Sequence, residues 1–387
     1  SVLEADLSYK NTKSEFIQPL ATPVASQYEK WRVDFSPRLK IDLERFGRIV
    51  LGYDFSRASG NSTNTLAVKS DVALTDNAAY LQYSLPLVKE FELSTGIRRQ
   101  MQDISANTNS DGNGGIGTPV NALKTTSATA WELALNYKFS DASKAYIKYG
   151  ESFRFPNIDE YWGYKDLYTD PNDSRTWYGS ISIFKGILVP QIDRTAEVGS
   201  DFVWGNTKIT GSVFHTRTEN EIRYNGNDNV NEQNIIGRNG VHLSTASLIT
   251  EHLSFYTNTK LQEAYYANGG FKGKSFDLVP HLLVNARLNY QFTNGLSVGA
   301  LTNYVGGQYY DSANDKSAYS KMPSYIVTDL YASKTLNRWD IRLTVKNILN
   351  EDYSTYGGYK FATYAPGHSG YKYFYYPSDP RSVFASV

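Results

Sequence analysis

The sequence of 387 residues predicts an all-β protein, a transmembrane antiparallel β-barrel of the outer-membrane type. Apolar and polar residues alternate with period two along the whole chain, which is typical of strands with one apolar face. The connections between these strands alternate between short and long. We count about 16 candidate strands, many of them about 10 residues or longer, the length that a tilted strand needs to cross a bilayer.

The alternation is clearest in three segments, WELALNYKF, WDIRLTVKN and RIVLGYDF. In the first, the apolar face carries Trp131, Leu133, Leu135, Tyr137 and Phe139. A soluble β-sandwich produces the same pattern with its apolar face inward, so the alternation alone leaves a soluble β-rich binding module open.

The lengths of the connections favour the membrane barrel. Such barrels have short turns at one end of the strands and long loops at the other. The predicted short turns are 44–46, 87–89, 140–142, 205–206, 250–251, 293–295 and 336–338. The predicted long loops are 11–26, 58–77, 104–126, 152–192, 225–233, 267–278, 309–321 and 354–377.

Composition gives little support to catalysis, metal binding or nucleic-acid binding. Lys plus Arg and Asp plus Glu number 39 each, and no basic run is interleaved with stacking aromatic residues. Cysteine is absent, and the five histidines form no HExxH pattern or closely spaced pair. We therefore expect no enzymatic activity, no cofactor and no metal site.

Four segments together resemble the TonB-dependent outer-membrane receptors. They are YGESFRFPNIDEYWG at 149–163, PQIDRTAEVGSDF at 190–202, FKGKSFDLVPHLLVNARLNYQF at 271–292 and IRLTVKNILNEDYSTYG at 341–357. Each is weak alone, whereas their order and spacing along the chain make the resemblance specific.

The resemblance implies a barrel of about 22 strands that is plugged by an N-terminal globular domain. On that basis residues 1–387 are expected to be the C-terminal part of the barrel, with the plug and the first strands absent. The implied location is the bacterial outer membrane, where the protein is expected to be a monomer. Its implied partners are an extracellular small-molecule ligand, the inner-membrane TonB complex, and outer-membrane lipid or lipopolysaccharide.

The implied function is active import of a scarce, bulky nutrient into the periplasm. Ferric siderophores lead as the expected ligand, while cobalamin, haem and other small cofactors remain open. A different class of function also remains open, a passive diffusion porin of 16 strands with an open lumen.

The candidate ligand-binding residues are aromatic residues in the long loops, because amphipathic rings hold large ligands well at a wet surface. They are Tyr161, Trp162, Tyr164, Trp177, Tyr178, Tyr309, Tyr310, Tyr359, Tyr364, His368 and Tyr371. An aromatic girdle at the membrane interface is the alternative explanation, and it is the preferred one for the tyrosines of 373–376. The segment YKFATYAPGHSGYKYFYYPSDP, 359–380, has no strand periodicity and is expected to be the last outer loop.

Overall fold

A computed structural model describes residues 1–18, 24–64, 69–110, 116–166, 180–184, 188–224, 229–310, 321–365 and 368–387. Nearly all elements in these ranges are strands. They are β1 (Val2–Gln18), β2 (Val24–Asp42), β3 (Arg48–Asn64), β4 (Lys69–Pro86), β5 (Phe91–Ser110), β6 (Ile116–Lys138), β7 (Lys144–Arg154), β8 (Trp162–Asp166), β9 (Ser180–Phe184), β10 (Gln191–Trp204), β11 (Thr207–Glu219), β12 (Ile222–Tyr224), β13 (Asn229–Asn231), β14 (Ile236–Leu248), β15 (Leu253–Tyr266), β16 (Leu282–Gln291), β17 (Leu296–Val305), β18 (Gln308–Tyr309), β19 (Lys321–Met322), β20 (Tyr325–Leu336), β21 (Trp339–Lys346), β22 (Ser354–Ala365), β23 (His368–Pro377) and β24 (Ser382–Ser386). Two short 3-10 helices occupy Glu44–Phe46 and Ile158–Tyr161.

Sixteen of the strands form one sheet in the order β1-β2-β3-β4-β5-β6-β7-β10-β11-β14-β15-β16-β17-β20-β21-β24. Each strand in this order is hydrogen-bonded to the next one of the sheet along the chain, as in a meander of hairpins. The all-β class and the strand number predicted from the sequence are therefore confirmed. Neither helix of the described ranges is long and apolar enough to cross a membrane.

The chain divides into two compact units. The first comprises Ser1–Leu135, Tyr149–Arg194 and Thr218–Gln233. The second comprises Asn136–Lys148, Thr195–Arg217 and Asn234–Val387. Each unit contains complete hairpins of the large sheet together with some of the long connections, so the packing of each unit is described separately below.

The predicted short turns are present between the strands of the large sheet. Backbone positions with positive φ allow the tightest of them, for example Asn337 with φ 54° between β20 and β21. Gly295, with φ 82°, has the same role between β16 and β17. Both residue types tolerate the left-handed region at low cost, which explains their place in these tight turns.

Three of the connections predicted as long loops, 11–26, 58–77 and 104–126, are mostly strand. The hairpins β1–β2, β3–β4 and β5–β6 continue as paired strands through most of these ranges, with β1 and β2 in register from Val2–Lys40 to Gln18–Val24. Their many Ser, Thr and Asn residues indicate loops by composition. Antiparallel pairing nevertheless satisfies the backbone groups of these segments.

The remaining long connections each hold further structure. Four of them contain two-stranded hairpins outside the large sheet: β8–β9, β12–β13, β18–β19 and β22–β23. The segment 359–380, predicted to be a loop without strand periodicity, lies mostly in β22 and β23. The two strands of this hairpin pair with each other, for example Tyr359 opposite Tyr373. Cross-strand pairs of this kind stabilise the hairpin although its sequence does not alternate.

The apolar face of the large sheet is exposed. Leu51 pairs with Leu81, which in turn pairs with Ile97, and these side chains retain 43%, 40% and 52% of their accessible surface. A soluble sandwich buries such a row against a second sheet. An exposed apolar row of this length is what a lipid-facing surface requires.

The opposite face of the same strands is less exposed and carries the charged and polar residues. In the first unit, the Arg98 guanidinium donates to the Asp54 carboxylate, and the side-chain amides of Gln100 and Gln102 both donate to Asp76 Oδ1 at 3.1 Å. In the second unit, Lys148 Nζ lies 3.2 Å from Glu197 Oε2. The polar residues therefore neutralise one another across neighbouring strands.

Several strand glycines on this polar face are covered by a tyrosine from the neighbouring strand. Gly299 pairs with Tyr331, and a Cβ added at Gly299 would lie 2.5 Å from Tyr331 Cζ. Gly199 of β10 and Tyr146 of the neighbouring strand β7 repeat this arrangement, also with 2.5 Å to Cζ. The ring lies flat over the missing side chain, and the pair holds the register of the two strands.

We expect Leu133→Arg in β6 to destabilise the assembled protein by about 2–4 kcal/mol, because a lipid-facing position does not tolerate a charge near the membrane centre. Leu133 is 49% exposed, so the same change on a water-facing sheet costs little. The measurement is denaturant unfolding in lipid bilayers. Leu123→Arg is the matched control in the same strand, since Leu123 is 80% exposed and lies in the extension of β6. Equal and small effects at both positions would contradict a lipid-facing apolar row.

Gly299→Ala is expected to destabilise the sheet by about 1–3 kcal/mol, because the new methyl group overlaps the Tyr331 ring. Gly270→Ala is the control, because a Cβ added at Gly270 meets nothing within 4 Å. The change in the thermal unfolding midpoint should be larger for Gly299→Ala. Combining it with Tyr331→Ala should cost less than the sum of the two single changes, and strict additivity would refute the ring-over-glycine contact.

Candidate functional site

The predicted ligand-binding residues lie in the long connections, most of them in or beside the four hairpins outside the large sheet. Trp162 and Tyr164 are in β8, Tyr359 and Tyr364 are in β22, and His368 and Tyr371 are in β23. Tyr309 belongs to β18 and Tyr310 follows it directly. Tyr161 ends the second 3-10 helix. Trp177 and Tyr178 lie outside the described residues.

Tyr310 and Tyr359 come together in a cluster with two further tyrosines, and we call these four residues the tyrosine cluster. The ring of Tyr373 lies 4.6 Å from that of Tyr310 and 4.8 Å from that of Tyr359, measured between centroids. Tyr375 meets Tyr310 edge to face at 5.7 Å, and their hydroxyl groups are 2.5 Å apart. These distances are typical of favourable aromatic pairs.

Tyr373 and Tyr375 were predicted to belong to an interfacial girdle. The structure places both in β23, in contact with Tyr310 and outside the 16-stranded sheet. Segment 359–380 shows no strand periodicity as a whole, and only its short run Tyr-Lys-Tyr-Phe-Tyr would set residues 371, 373 and 375 on one face of a strand. The hairpin partner of that strand could not be identified from the pattern.

The hairpins β18–β19 and β22–β23 meet at the tyrosine cluster. Tyr310 packs on Gly357, where an added Cβ would lie 2.9 Å from the ring. The buried Gln308 donates its side-chain amide to the main-chain carbonyl of Thr355 at 3.4 Å. Lys321 places its ammonium group 4.8 Å from the centre of the Tyr309 ring, a cation–π contact. Contacts from β18–β19 thus fix where β22 and β23 lie.

Burial and the bond to Tyr375 both raise the pKa of the Tyr310 hydroxyl above its ordinary value. The hydroxyl therefore stays protonated at neutral pH. Tyr310 is only 2% exposed, whereas Tyr373 and Tyr375 retain 38% and 50% of their surface. The cluster thus combines one buried tyrosine with exposed neutral rings and hydroxyl groups. This combination suits an aromatic or polar ligand more than a strongly anionic one.

Tyr161 has a different position, because none of its surface is exposed. It packs in an apolar cluster with Val72, Leu74, Ile104, Ala106, Leu188 and Ile222. Its hydroxyl donates to Gln102 Oε1 at 3.2 Å, and burial raises its pKa. Tyr161 holds a connection in place and offers no surface to a ligand, so it leaves the set of residues proposed for ligand contact.

Asn347, in the segment 341–357, was not predicted as a functional residue. It is 2% exposed and has φ 49°. Its side-chain amide donates to the carbonyl of Glu351 at 2.9 Å and accepts from the Glu351 N–H at 2.8 Å, while its own N–H donates to Asp329 Oδ1 at 2.8 Å. These bonds fix the chain as it leaves β21 for the hairpin β22–β23.

Arg194, in the segment 190–202, bonds neighbouring strands near the points where long connections begin. Its guanidinium donates to Glu151 Oε2 and to Glu219 Oε1, each at 2.7 Å. These carboxylates belong to β7 and β11, the two neighbours of β10 in the sheet. The segments that carry the family resemblance therefore contain the bonds that hold strand ends where long connections begin.

The described residues contain no group of three or more His, Cys, Asp or Glu side chains placed to bind a metal ion. Two of the histidines are bound to asparagine side chains of neighbouring strands. His215 Nδ1 lies 2.6 Å from Asn239 Oδ1, and His242 Nε2 lies 2.9 Å from Asn258 Oδ1.

Comparison with known protein families gives one match that spans most of the chain. The family described as TonB dependent receptor-like, beta-barrel, matches residues 3–348. The Catecholate siderophore receptor Fiu of Escherichia coli K12 is 25% identical over 332 residues, which cover 80% of this chain and 41% of that protein. The Ferrioxamine receptor of Yersinia enterocolitica is 26% identical over 188 residues, 43% of this chain and 25% of that protein. The chain thus spans less than half the length of these relatives.

Solved structures of similar fold agree with this match. The crystal structure of the ferric-catecholate import receptor Fiu from E. coli K12, in its closed form, has a TM-score of 0.71 at 18% identity and covers 99% of this chain and 60% of that one. The ferric yersiniabactin uptake receptor FyuA from Yersinia pestis has a TM-score of 0.69 at 16% identity and covers 98% and 57%. At these identities the likeness concerns the fold.

Tyr310→Ala is expected to release β22–β23 from β18–β19, because the aromatic and hydroxyl contacts of Tyr310 are lost together. A buried ring of this kind contributes about 3 kcal/mol to local stability, whereas Tyr310→Phe removes only one hydrogen bond and should cost about 1 kcal/mol. Amide hydrogen exchange of residues 354–377 measures both effects. Tyr376→Ala is the control in the same hairpin, since Tyr376 is 64% exposed. Similar exchange rates in all three variants would show that Tyr310 does not hold the hairpin.

Proposed function

This chain belongs to the TonB-dependent receptors, a family of outer-membrane β-barrels, and from that premise we propose that it takes part in active import of a ferric siderophore. In the proposed mechanism the ligand binds at the long connections and passes into the periplasm when the inner-membrane TonB complex supplies the energy. Family membership favours this receptor class over a passive diffusion porin. The chain contributes the barrel and its ligand-binding connections.

The tyrosine cluster is the observation that carries the proposal. Its exposed members, Tyr373 and Tyr375, are held by the buried Tyr310, so their rings are ordered before any ligand arrives. Ordered amphipathic aromatics provide contact area at low entropic cost, and their hydroxyl groups can bond a polar ligand. We propose that these residues contact the ligand together with Tyr309 and Tyr359.

The remaining predicted residues belong to two different long connections. Tyr364, His368 and Tyr371 lie near the tip of β22–β23, and Trp162 and Tyr164 lie in β8. Trp177 and Tyr178 belong to the chain between β8 and β9. We propose each of these two groups of aromatic residues for ligand contact.

The relatives support the ligand class. One is named a catecholate siderophore receptor and another a ferrioxamine receptor, and both names denote carriers of iron(III). Catecholate ligands are themselves aromatic, and they match the rings of the tyrosine cluster better than a small anion does. We therefore propose an iron(III) catecholate as the first ligand to test, with cobalamin and haem as the alternatives.

Three further features belong to the proposal. We propose that the exposed apolar face contacts membrane lipid and lipopolysaccharide, and that the protein acts as a monomer. Arg99 supports a contact with polar lipid groups, since it is exposed on the outer face and bound to the hydroxyl group of Thr129 at 2.8 Å. We also propose that the protein has no enzymatic activity, in line with a family of transport receptors.

The test is uptake of radioactive iron by cells that express the full-length receptor and lack other iron receptors. We expect uptake of iron(III) bound to a tris-catecholate ligand, and loss of that uptake when the TonB complex is absent. Replacing Tyr373 and Tyr375 together by Ala should weaken binding by about tenfold or more, which corresponds to about 1.4 kcal/mol or more.

The matched control is Tyr53→Ala, since Tyr53 is exposed on the apolar face of β3 and lies away from the connections that form the proposed site. It should leave uptake unchanged. Uptake that persists without the TonB complex would indicate passive diffusion, and the absence of uptake for catecholate, hydroxamate, cobalamin and haem would refute the proposed function.

A further inference from the structure

Arg154 ends β7 and joins two of the long connections through one guanidinium group. Its Nη1 donates to both carboxylate oxygens of Glu160, at 2.9 and 2.8 Å. Its Nη2 donates to the main-chain carbonyl of Ile222 at 3.3 Å. Glu160 lies in the connection that follows β7, whereas Ile222 begins β12 in the connection that follows β11. One side chain therefore ties together segments about 60 residues apart, a separation that includes an entire further hairpin of the sheet.

Glu160 is fixed from its own side as well. Its Oε2 also accepts the main-chain N–H of Asn157 at 2.8 Å, and its own N–H donates to the carbonyl of Asn157 at 3.0 Å. The carboxylate thus closes the turn that begins the 3-10 helix Ile158–Tyr161. Because Arg154 binds that same carboxylate, the turn is held directly against the end of β7.

The two connections tied by Arg154 also share an apolar contact. Tyr161 and Ile222 are both buried in the cluster that covers Val72 and Ile104 of β4 and β5. The polar contact at Arg154 and the apolar contact at Tyr161 therefore hold the same two segments on the same part of the sheet. An apolar cluster sets the distance, and the planar guanidinium group, which bonds Glu160 through Nη1 and Ile222 through Nη2, sets the orientation.

The connection with β12 is bound at one more point. The side chain of Asn231, which pairs with Ile222 across β12–β13, accepts the N–H of Val189 at 2.8 Å and donates to the carbonyl of Val189 at 2.9 Å. It also donates to the carbonyl of Asn220 at 2.8 Å. The hairpin β12–β13 is thus bound both to the segment before β10 and to Arg154.

We propose that Arg154 is a positioning residue for ligand capture. Strand β8 begins at Trp162, immediately after the buried Tyr161, so the orientation of the turn at Glu160 determines how the hairpin β8–β9 leaves the sheet. By fixing that turn and β12 together, Arg154 fixes the point where β8 begins, the strand that contains the candidate residues Trp162 and Tyr164. This inference rests on the proposed function, because it assigns those aromatic residues to ligand binding.

The exposure of the ion pair distinguishes this role from general stabilisation. The side chains of Arg154 and Glu160 are 38% and 22% exposed. Partly exposed ion pairs contribute little to global stability. The planar guanidinium group, bonded to a different partner through each terminal nitrogen, instead restricts orientation. A connection ordered in advance loses less entropy when a ligand binds.

The first experiment measures amide hydrogen exchange of the full-length receptor without ligand. In Arg154→Ala we expect exchange of residues 158–166 and 222–224 to be about tenfold faster, since one charge-assisted contact is worth about that factor. Arg154→Lys keeps the charge but loses the fork and should give an intermediate rate. Arg32→Ala is the matched control, because Arg32 pairs with Asp34 at 2.8 Å within a single strand.

The second experiment measures the kinetics with which an iron(III) tris-catecholate complex binds the same variants. Arg154→Ala should slow association by about tenfold, because the binding arrangement is populated less often. The double change Arg154→Glu with Glu160→Arg should recover part of the loss. A purely structural role would reduce the amount of assembled receptor and leave the kinetics of the assembled fraction unchanged.

The outcomes separate the two proposals. If the wild-type receptor binds none of the iron(III) complexes, the proposed function fails, and the exchange rates alone decide whether Arg154 orders the two connections. If the wild type binds and Arg154→Ala leaves the association rate unchanged, the positioning role is refuted whatever the exchange rates are. Should Arg154→Ala fail to assemble, Arg154→Lys and Glu160→Gln provide the same comparison with smaller perturbations.

Discussion

Antiparallel pairing between neighbouring strands is the interaction on which the rest of this structure depends. In a bilayer no water is available to satisfy backbone N–H and C=O groups, so each strand must bond its neighbours along its full length. Once the backbone is satisfied this way, each side chain is assigned to one of two faces by its position in the sequence. Apolar residues such as Leu81 are exposed on one face, and charged residues such as Arg98 pair on the other.

Two further requirements are met on the polar face. Partly buried charges need partners, and the strands need a fixed register. Cross-strand pairs such as Lys148 with Glu197 meet both needs, since they form only when the strands are aligned. The tyrosines that lie over Gly199 and Gly299 act in the same way through shape. A shift by one residue would bring charges to the lipid-facing side and would remove each ring from its glycine.

The large sheet could be predicted from the sequence because its signal is local. Alternation in WELALNYKF and tight turns at Asn337 or Gly295 require only neighbouring residues. The hairpins in the long connections could not be predicted in the same way, because Tyr310 meets Tyr375 across 65 positions of sequence. Tyr161 shows the same limit. The sequence indicated a surface residue in a loop, whereas an apolar cluster with residues from distant parts of the chain buries it.

Several long connections are fixed by hydrogen bonds at their bases, the points where they leave the sheet. This determines how the binding surface can differ among proteins with this fold. Arg154, Arg194 and Asn347 bond the chain at the points where strands of the sheet lead into connections. These bonds involve main-chain groups and carboxylates near the sheet. Residues at the tips can then be exchanged without loss of the sheet, because the register is set below them. A change at a base moves a whole hairpin with all its aromatic residues, so ligand affinity should be more sensitive to Arg154 than its exposed position suggests.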